Sequence, residues 1–305
     1  MHVAALTVHP VKSLRGEPVA AVDVERAGLR GDRRWMLVDA DGAAVTARRH
    51  PGLLGVSART APDGGVVLSR PGHPDLPVRP PVGARPVAVG LARVGHALPA
   101  GPDADAWLRA VLGLDVRLVW QDDPARRPVD PAHGGRPGDA LSLADDGPVL
   151  VTVVASLRRL DAWVAAAPAR TVPGRPTAAA AGSGGGPGAG VGSAAPPERL
   201  APLAMERFRP NLVVDGDVEP FAEDTWARLR VGEVELRFAE HCDRCVMTTV
   251  DPATLARGQE PLRTLARHRR WDGKVWFGVR MVPVTTGRVA VGDPVTVLGE
   301  RRSAG

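Results

Sequence analysis

Both cysteines of the chain lie in one stretch, His241-Cys242-Asp243-Arg244-Cys245-Val246-Met247-Thr248-Thr249-Val250-Asp251-Pro252, with an arginine between them. Two cysteines are too few for a disulfide framework, and a bridge at this spacing closes too short a loop to add much stability. A chemical use is therefore the better expectation, and three chemistries compete. A thioredoxin-type pair places its reactive thiol at a helix start, where the N-terminal field favours the thiolate. Here Val246, Thr248, Thr249 and Val250 predict a strand or tight turn instead, ended by Asp251-Pro252. A structural zinc site wants four ligands; His241 and His268 are on hand, but there is no second Cys-x-x-Cys. The third chemistry is a single thiolate on a rigid strand–turn, holding a soft metal, with Arg244 favouring the ionised form. Two half-buried cysteines acting as small hydrophobes are the plain alternative, and the stretch taken alone favours it.

The elements that must position these residues are bounded first by composition. A chain of 305 residues, 44% hydrophobic and 24% charged, makes one large or two moderate globular domains with a substantial core. No apolar run reaches the length of a membrane span, and Met1 to Leu6 lacks a charged region followed by an apolar core. The expectation is no membrane association and a cytoplasmic setting, which suits unpaired thiols. The formal charge is +5, yet lysine occurs only at Lys12 and Lys274, so nearly all 39 basic residues are arginine. With 35 Gly and 30 Pro, that balance reads as a coding bias rather than a nucleic-acid surface. Four Phe, no Tyr and no basic stripe with interleaved aromatics exclude nucleic acid as a partner.

Along the chain, short strands separated by Gly and Pro turns predominate, predicting a β-rich α+β protein of sandwich or barrel type. Strands are expected over 3–8, 18–24, 33–39, 53–57, 65–69, 87–90, 116–120, 148–153, 212–215, 229–231, 234–238, 275–279 and 287–297. Asp41-Gly42 marks a hairpin returning through Ala43 to Arg48, which brings Arg33 or Arg34 near Arg48. Helices are expected over 103–112, capped by Asp103 and stopped by Gly113, over 156–165, and over 260–268 with a proline in its first turn. Lys12, Ser13 and Arg15 present two cations and a hydroxyl in the loop after the first strand, and Arg207, Arg209 and Asn211 alternate before the strand at 212. Asp122 to Gly138 reads as a loop between two halves, 1–120 and 121–300. The Ala/Gly/Pro/Ser segment 171–197 has little to bury and reads as a flexible insert.

The ordered set Pro10-Val11-Lys12-Ser13, Asp32-Arg33-Arg34-Trp35, Thr46-Ala47-Arg48, Phe208-Arg209-Pro210-Asn211, Ala222-Glu223-Asp224-x-Trp226, Cys242-x-Arg244-Cys245-x-x-Thr248-Thr249-Val250-Asp251-Pro252, Glu260-Pro261-Leu262 and Gly292-Asp293-Pro294-Val295 resembles MOSC-domain proteins that carry an N-terminal MOSC β-barrel domain, of the amidoxime-reducing kind. The resemblance covers almost everything except 171–197. It implies an N-terminal β-barrel-like domain followed by a MOSC β-barrel with a few peripheral helices. It also implies a molybdenum cofactor, a pterin dithiolene with a phosphate, bound to molybdenum through the second cysteine, Cys245. Lys12, Ser13, Arg33, Arg209 and Asn211 then form the pterin and phosphate pocket with Thr248, while Arg244 tunes the thiolate and Asp251 braces the turn.

The activity implied is reduction of N-hydroxylated compounds. Its electrons come from a separate ferredoxin- or flavoprotein-type donor, since the four cysteines of a fused ferredoxin are lacking. A carrier that holds or passes on the cofactor, or its sulfur, without turnover would use the same residues. A zinc-stabilised barrel with a binding role is the third reading. Pyridoxal phosphate, found with a sulfurase domain fused to some relatives, is not expected here, because neither Lys12 nor Lys274 sits in a suitable pattern. His9 stands where a tyrosine is frequent in the family, an alteration expected at the pocket mouth.

Overall fold

Strand His2–Val8 buries Val3, Leu6 and Val8, an uneven spacing for a strand. The register against Leu212–Asp215 slips between Val3 and Ala5, and this bulge turns Leu6 to the same side as Val3. Such strands assemble into one large sheet in the computed structural model, which describes residues 1–166 and 202–301. The expected insert at 171–197 lies outside the described residues.

The sheet runs in the order Val295–Glu300, Trp226–Val231, Val234–Asp243, Lys274–Pro283, Val149–Val153, Leu212–Asp215, His2–Val8 and Glu17–Val19, with Arg270–Trp271 paired beside Lys274–Pro283. All neighbours are antiparallel except Val149–Val153 and Leu212–Asp215. A bridge from His2 to Pro294, with Val3 donating to the Asp293 carbonyl and Val295 to that of Met1, brings the last strand back to the first. The sheet thereby closes into a barrel and hides its edges. Val151, Val153, Val214, Leu229, Val279 and Met281 fill its interior.

Outside the barrel, helix α1 spans Pro102–Leu112, α2 spans Val154–Ala166 and α3 spans Leu262–His268. Leu160 and Val164 of α2 and Leu265 of α3 close over Phe208 and Phe277, whose rings stack at 4.0 Å. Strand Val149–Val153 is consequently buried along its whole length, as its unbroken apolar run requires.

The first 120 residues add a four-stranded sheet (Trp35–Val38, Arg117–Trp120, Gly95–Pro99, Val87–Val89) and a three-stranded one (Ser57–Thr60, Val66–Ser69, Leu76–Val78). Leu37, Leu53, Val56, Leu68, Leu108 and Leu118 make their shared core. The two ends of the chain are interwoven, because Gly287–Ala290 pairs with Ala21–Glu25. The architecture is the expected one, mostly β with three helices among the described residues.

Several local expectations are corrected. Residues 51–55 form a 3-10 turn rather than a strand, with Pro51 setting its first φ. The hairpin after Asp41-Gly42 is short: the Val38–Ala44 bridge with the Asp39–Ala43 and Val45–Leu37 bonds, before the chain turns again. Asp103 caps nothing, since α1 begins at Pro102 behind Gly101, and Gly113 stops it in the left-handed conformation as predicted. Pro261 stands one residue ahead of α3. No described helix is long and apolar enough to cross a membrane.

Glu223 is fully buried beneath α2, where one carboxyl oxygen accepts from the Ser156 hydroxyl at 2.8 Å and the other has no partner. Burial, and Asp224 beside it, raise its pKa from 4.5 to about 8. The folded state then binds a proton that the unfolded state has lost, so this group lowers stability progressively as pH rises from about 4.5 to about 8. Urea unfolding of Glu223→Gln is expected to match wild type near pH 4 and to give the more stable protein at pH values above about 8. A constant difference across the range would show that Glu223 is not a buried neutral acid.

Candidate functional site

Three residues on the cavity wall take a backbone conformation that side chains other than glycine rarely adopt: Ser13 (φ 69°), Arg33 (φ 47°) and Arg209 (φ 55°). Each is held there by its neighbours. Lys12 is tied to the Trp35 carbonyl at 2.8 Å, and Arg33 donates to the His9 carbonyl at 2.7 Å while accepting from Leu143. Arg209 ends the 3-10 turn Met205–Phe208. The strain aims three polar side chains at one space, as backbone outliers commonly do at functional sites. Arg33 and not Arg34 enters; Arg34 turns away to the Gln121 and Asp122 carbonyls.

The space is a cleft of about 1010 Å³ including its open mouth. Lys12, Ser13, Arg33, Arg209, Asn211, Arg244, Cys245 and Thr248 all line it, so eight of the nine expected site residues come together from both halves of the chain. Asp251 does not. Its carboxylate accepts from the Ala253 and Thr254 amides and pairs with Arg207 at 2.5 Å, which fastens the turn after Cys245 and leaves nothing for a ligand.

Asn211 lines the cleft but has no free hydrogen-bonding capacity. Its oxygen accepts from Leu150 N–H and Arg33, and its amide donates to the Thr7 carbonyl and to Asp32. It positions Arg33 instead of meeting a ligand itself. Thr248 likewise returns its hydroxyl to the Cys245 carbonyl at 3.0 Å, tightening the 3-10 turn Val246–Thr249 that Cys245 opens.

The cysteines divide between two environments. Cys242 is the last residue but one of strand Val234–Asp243; it touches the cleft wall but is buried, and accepts from Arg244 at 2.8 Å. Arg244 is thus spent on Cys242 and on the Phe208 carbonyl, which corrects the expectation that it serves Cys245. Arg48 takes that place. It lines the cleft, and the Cys245 sulfur beside it raises its pKa. Arg280 pairs with Glu240, Asp146 and Asp243; burial alone would lower its pKa, but Cys242 and these acids raise it.

The wall carries six cations (Lys12, Arg33, Arg48, Arg209, Arg244, Arg280) against three carboxylates (Asp145, Asp146, Asp243), so its field favours an anion. Lys12 is buried and pairs with Asp145, and that ammonium holds Asp145 well below the usual carboxylate range. Burial draws Lys12 downward while Asp145 opposes it. Burial, with Arg33 nearby, lowers Arg209 to about 9, so it stays charged at neutrality. Arg244 Nε is buried on this wall without a partner.

Arg48, Asp145 and Arg280 are the functional candidates that the sequence reading left out. Thr46-Ala47-Arg48 belongs to the ordered set and the hairpin places Arg48 near Arg33 or Arg34, but nothing local marks Asp145 or Arg280. His9 is not at the mouth. It lies buried below Arg209, with its ring bonded to the Pro210 carbonyl at 3.3 Å and Gly16 so close that any Cβ there would meet the imidazole at 2.4 Å. Burial and two arginines hold it neutral.

The fold and site define a closed β-barrel protein with a basic, thiol-bearing cleft shared by two halves, and the sequence comparisons give its family. Residues 1–115 match the MOSC N-terminal beta barrel domain and residues 191–296 the MOSC domain, and the chain belongs to the MOSC family. It is 31% identical to mitochondrial amidoxime-reducing component 1 of Homo sapiens, over 98% of this chain and 83% of that protein. The protein of the same name from Danio rerio is 32% identical over 96% and 83%. Molybdenum cofactor sulfurase of Danio rerio is 29% identical over 90% of this chain but only 31% of its own length.

Asp32 is buried and answered by Asn211, His9 N–H and Arg33. Asn211→Ala should cost about 2–4 kcal/mol in denaturant unfolding, because it leaves Asp32 and two amide partners short of a bond. A loss below about 0.5 kcal/mol, the level of an ordinary surface change, would contradict the positioning role.

Proposed function

We propose that the cleft holds a molybdenum cofactor through the Cys245 sulfur, and that the protein is an oxidoreductase reducing N-hydroxylated compounds with electrons from a separate protein donor. The observation that carries this reading is the meeting of Cys245 with Lys12, Arg33 and Arg209 on one wall, from segments far apart in sequence. The residues fit the group: a soft metal selects sulfur, and a phosphate leaving bulk water needs cations and donors around it. Arg244 Nε offers a buried donor that still lacks a partner.

When bound, the cofactor supplies a redox-active metal that exchanges two electrons with an N–O bond. The chain's own residues do the rest. Lys12, Ser13, Arg33 and Arg209 would hold its anionic group, and Asn211 with Asp32 fixes the direction of Arg33. Arg48 stands beside the sulfur as its neighbouring cation, and the sulfur raises the arginine's pKa. The turn at Thr248 and Asp251 holds Cys245 in place. Cleavage of R–NHOH to R–NH2 and water takes two electrons and two protons, so the cleft must admit both a donor and solvent protons.

The two halves 1–120 and 121–300 act together in this reading, each supplying one side of the cleft. The unpaired thiols support a reducing compartment, which we take to be the cytoplasm; the animal relatives are mitochondrial by name. A second reading is a carrier that holds the cofactor or its sulfur without turnover, favoured by the similarity to a molybdenum cofactor sulfurase.

Protein purified from a host that makes the cofactor should contain stoichiometric molybdenum and pterin, and Cys245→Ser should lose the metal while keeping its fold. Wild type without either would end the proposal. Reduction of benzamidoxime with a supplied electron donor separates the enzyme from the carrier, which would contain molybdenum and stay inactive.

A further inference from the structure

Beside Cys245 the surface carries arginines that no acid answers. Arg15, Arg48, Arg49 and Arg257 are exposed and Arg70 is half-buried, and none forms an ion pair among the described residues. Three of them hold backbone instead. Arg15 bonds the Leu54 and Pro252 carbonyls, Arg70 that of Gly52 at 3.1 Å, and Arg257 that of Arg48 at 2.5 Å. These bonds tie residues 48–54 and 250–257 into one ledge while leaving the positive charges uncompensated. The single acid of those two segments, Asp251, is already paired with Arg207. Arg109, Arg126 and Arg228 sit against carboxylates, whereas other exposed arginines such as Arg26, Arg85 and Arg267 form no ion pair among the described residues either; what sets the ledge apart is that its bonds gather such arginines beside Cys245.

The ledge reaches the cleft at Arg48, which lines it beside Cys245. Val246, the next residue, is 40% exposed, an apolar spot at the edge of the charge. We propose that this arginine ledge is the docking surface for an acidic electron-transfer protein, which would deliver its electrons on the Cys245 side of the cleft. The inference rests on the reading of the cleft as a redox site, and adds where the donor binds and what charge it bears. Guanidinium forks pair with carboxylates bidentately, and brief electron-transfer complexes depend on charge more than on buried area. A nucleic acid would want stacking aromatics, and residues 48–54 and 250–257 contain no Phe, Trp or Tyr.

The test uses the full holoprotein, an acidic plant-type ferredoxin as donor, and reduced methyl viologen as a donor that needs no docking. In Arg49→Glu/Arg257→Glu the ferredoxin-supported rate should fall about tenfold, and viologen-supported reduction should match wild type. Arg49→Lys/Arg257→Lys should retain most of the ferredoxin rate, and Arg109→Glu, on another face, all of it. The wild-type ferredoxin rate should also fall as ionic strength rises from about 0.01 M to about 1 M, where the Debye length shrinks from about 30 Å to about 3 Å. An unchanged ferredoxin rate in the Glu variant, or a salt-independent one in wild type, overturns the proposal. If viologen supports no reduction, the redox reading fails by itself, and ferredoxin binding by fluorescence anisotropy then decides the ledge: binding lost in the Glu variant upholds it, equal binding refutes it. Duplex DNA or anionic vesicles binding the ledge as tightly as ferredoxin would show a general polyanion surface and refute it as well.

Discussion

Asp32 and Asn211 lie 179 residues apart in sequence and meet at 2.9 Å in the interior. The geometry of the cleft depends on that contact. A buried carboxylate is tolerable only when its oxygens are answered, and Asp32 is answered by the Asn211 amide, the His9 N–H and Arg33. Asn211 in turn reaches the Thr7 carbonyl and the Leu150 amide, so one side chain ties the first strand to two strands of the second half. Arg33 is clamped between both, in a backbone conformation it would not adopt alone. The polar network and the cleft are therefore a single construction.

The same economy separates the two sulfurs. Arg244, the obvious cation between the cysteines, turns to Cys242 and the Phe208 carbonyl and lies 5.4 Å from the Phe208 ring. Cys242 thus belongs to a packed, charge-compensated layer with Arg280, Glu240 and Asp243 behind it. Cys245 begins a new 3-10 turn on the cleft side and meets Arg48 from the first half. Both sulfurs lie on the cleft wall, but Cys242 is buried and already bonded to Arg244, whereas Cys245 is half-exposed.

Charge around the cleft follows two patterns. Inside, cations from both halves outnumber carboxylates, which suits an anionic cofactor in the MOSC family to which the chain belongs. Outside, on the ledge built by Arg15, Arg70 and Arg257, guanidinium groups are used as clamps on backbone carbonyls. That use fixes the side chains without neutralising them, so the ledge keeps a field that a partner can feel.

The sequence by itself determined the β-rich class, because short alternating runs between Gly and Pro turns leave few other ways to bury Val and Leu. It determined that Cys245 and the Lys12, Arg33 and Arg209 segments belong to one family pattern, since each motif keeps its order and spacing. Only the tertiary structure decided which of Arg33 and Arg34 enters the cleft, that residues 51–55 coil rather than extend, that Asn211 is a brace, and that Arg48 rather than Arg244 faces the Cys245 sulfur. The reason is the same in each case. Alternation and propensity act over a few neighbouring residues, whereas the direction of Arg33 is set by His9, Leu143 and Asn211, and the neighbour of Cys245 arrives from nearly 200 residues away.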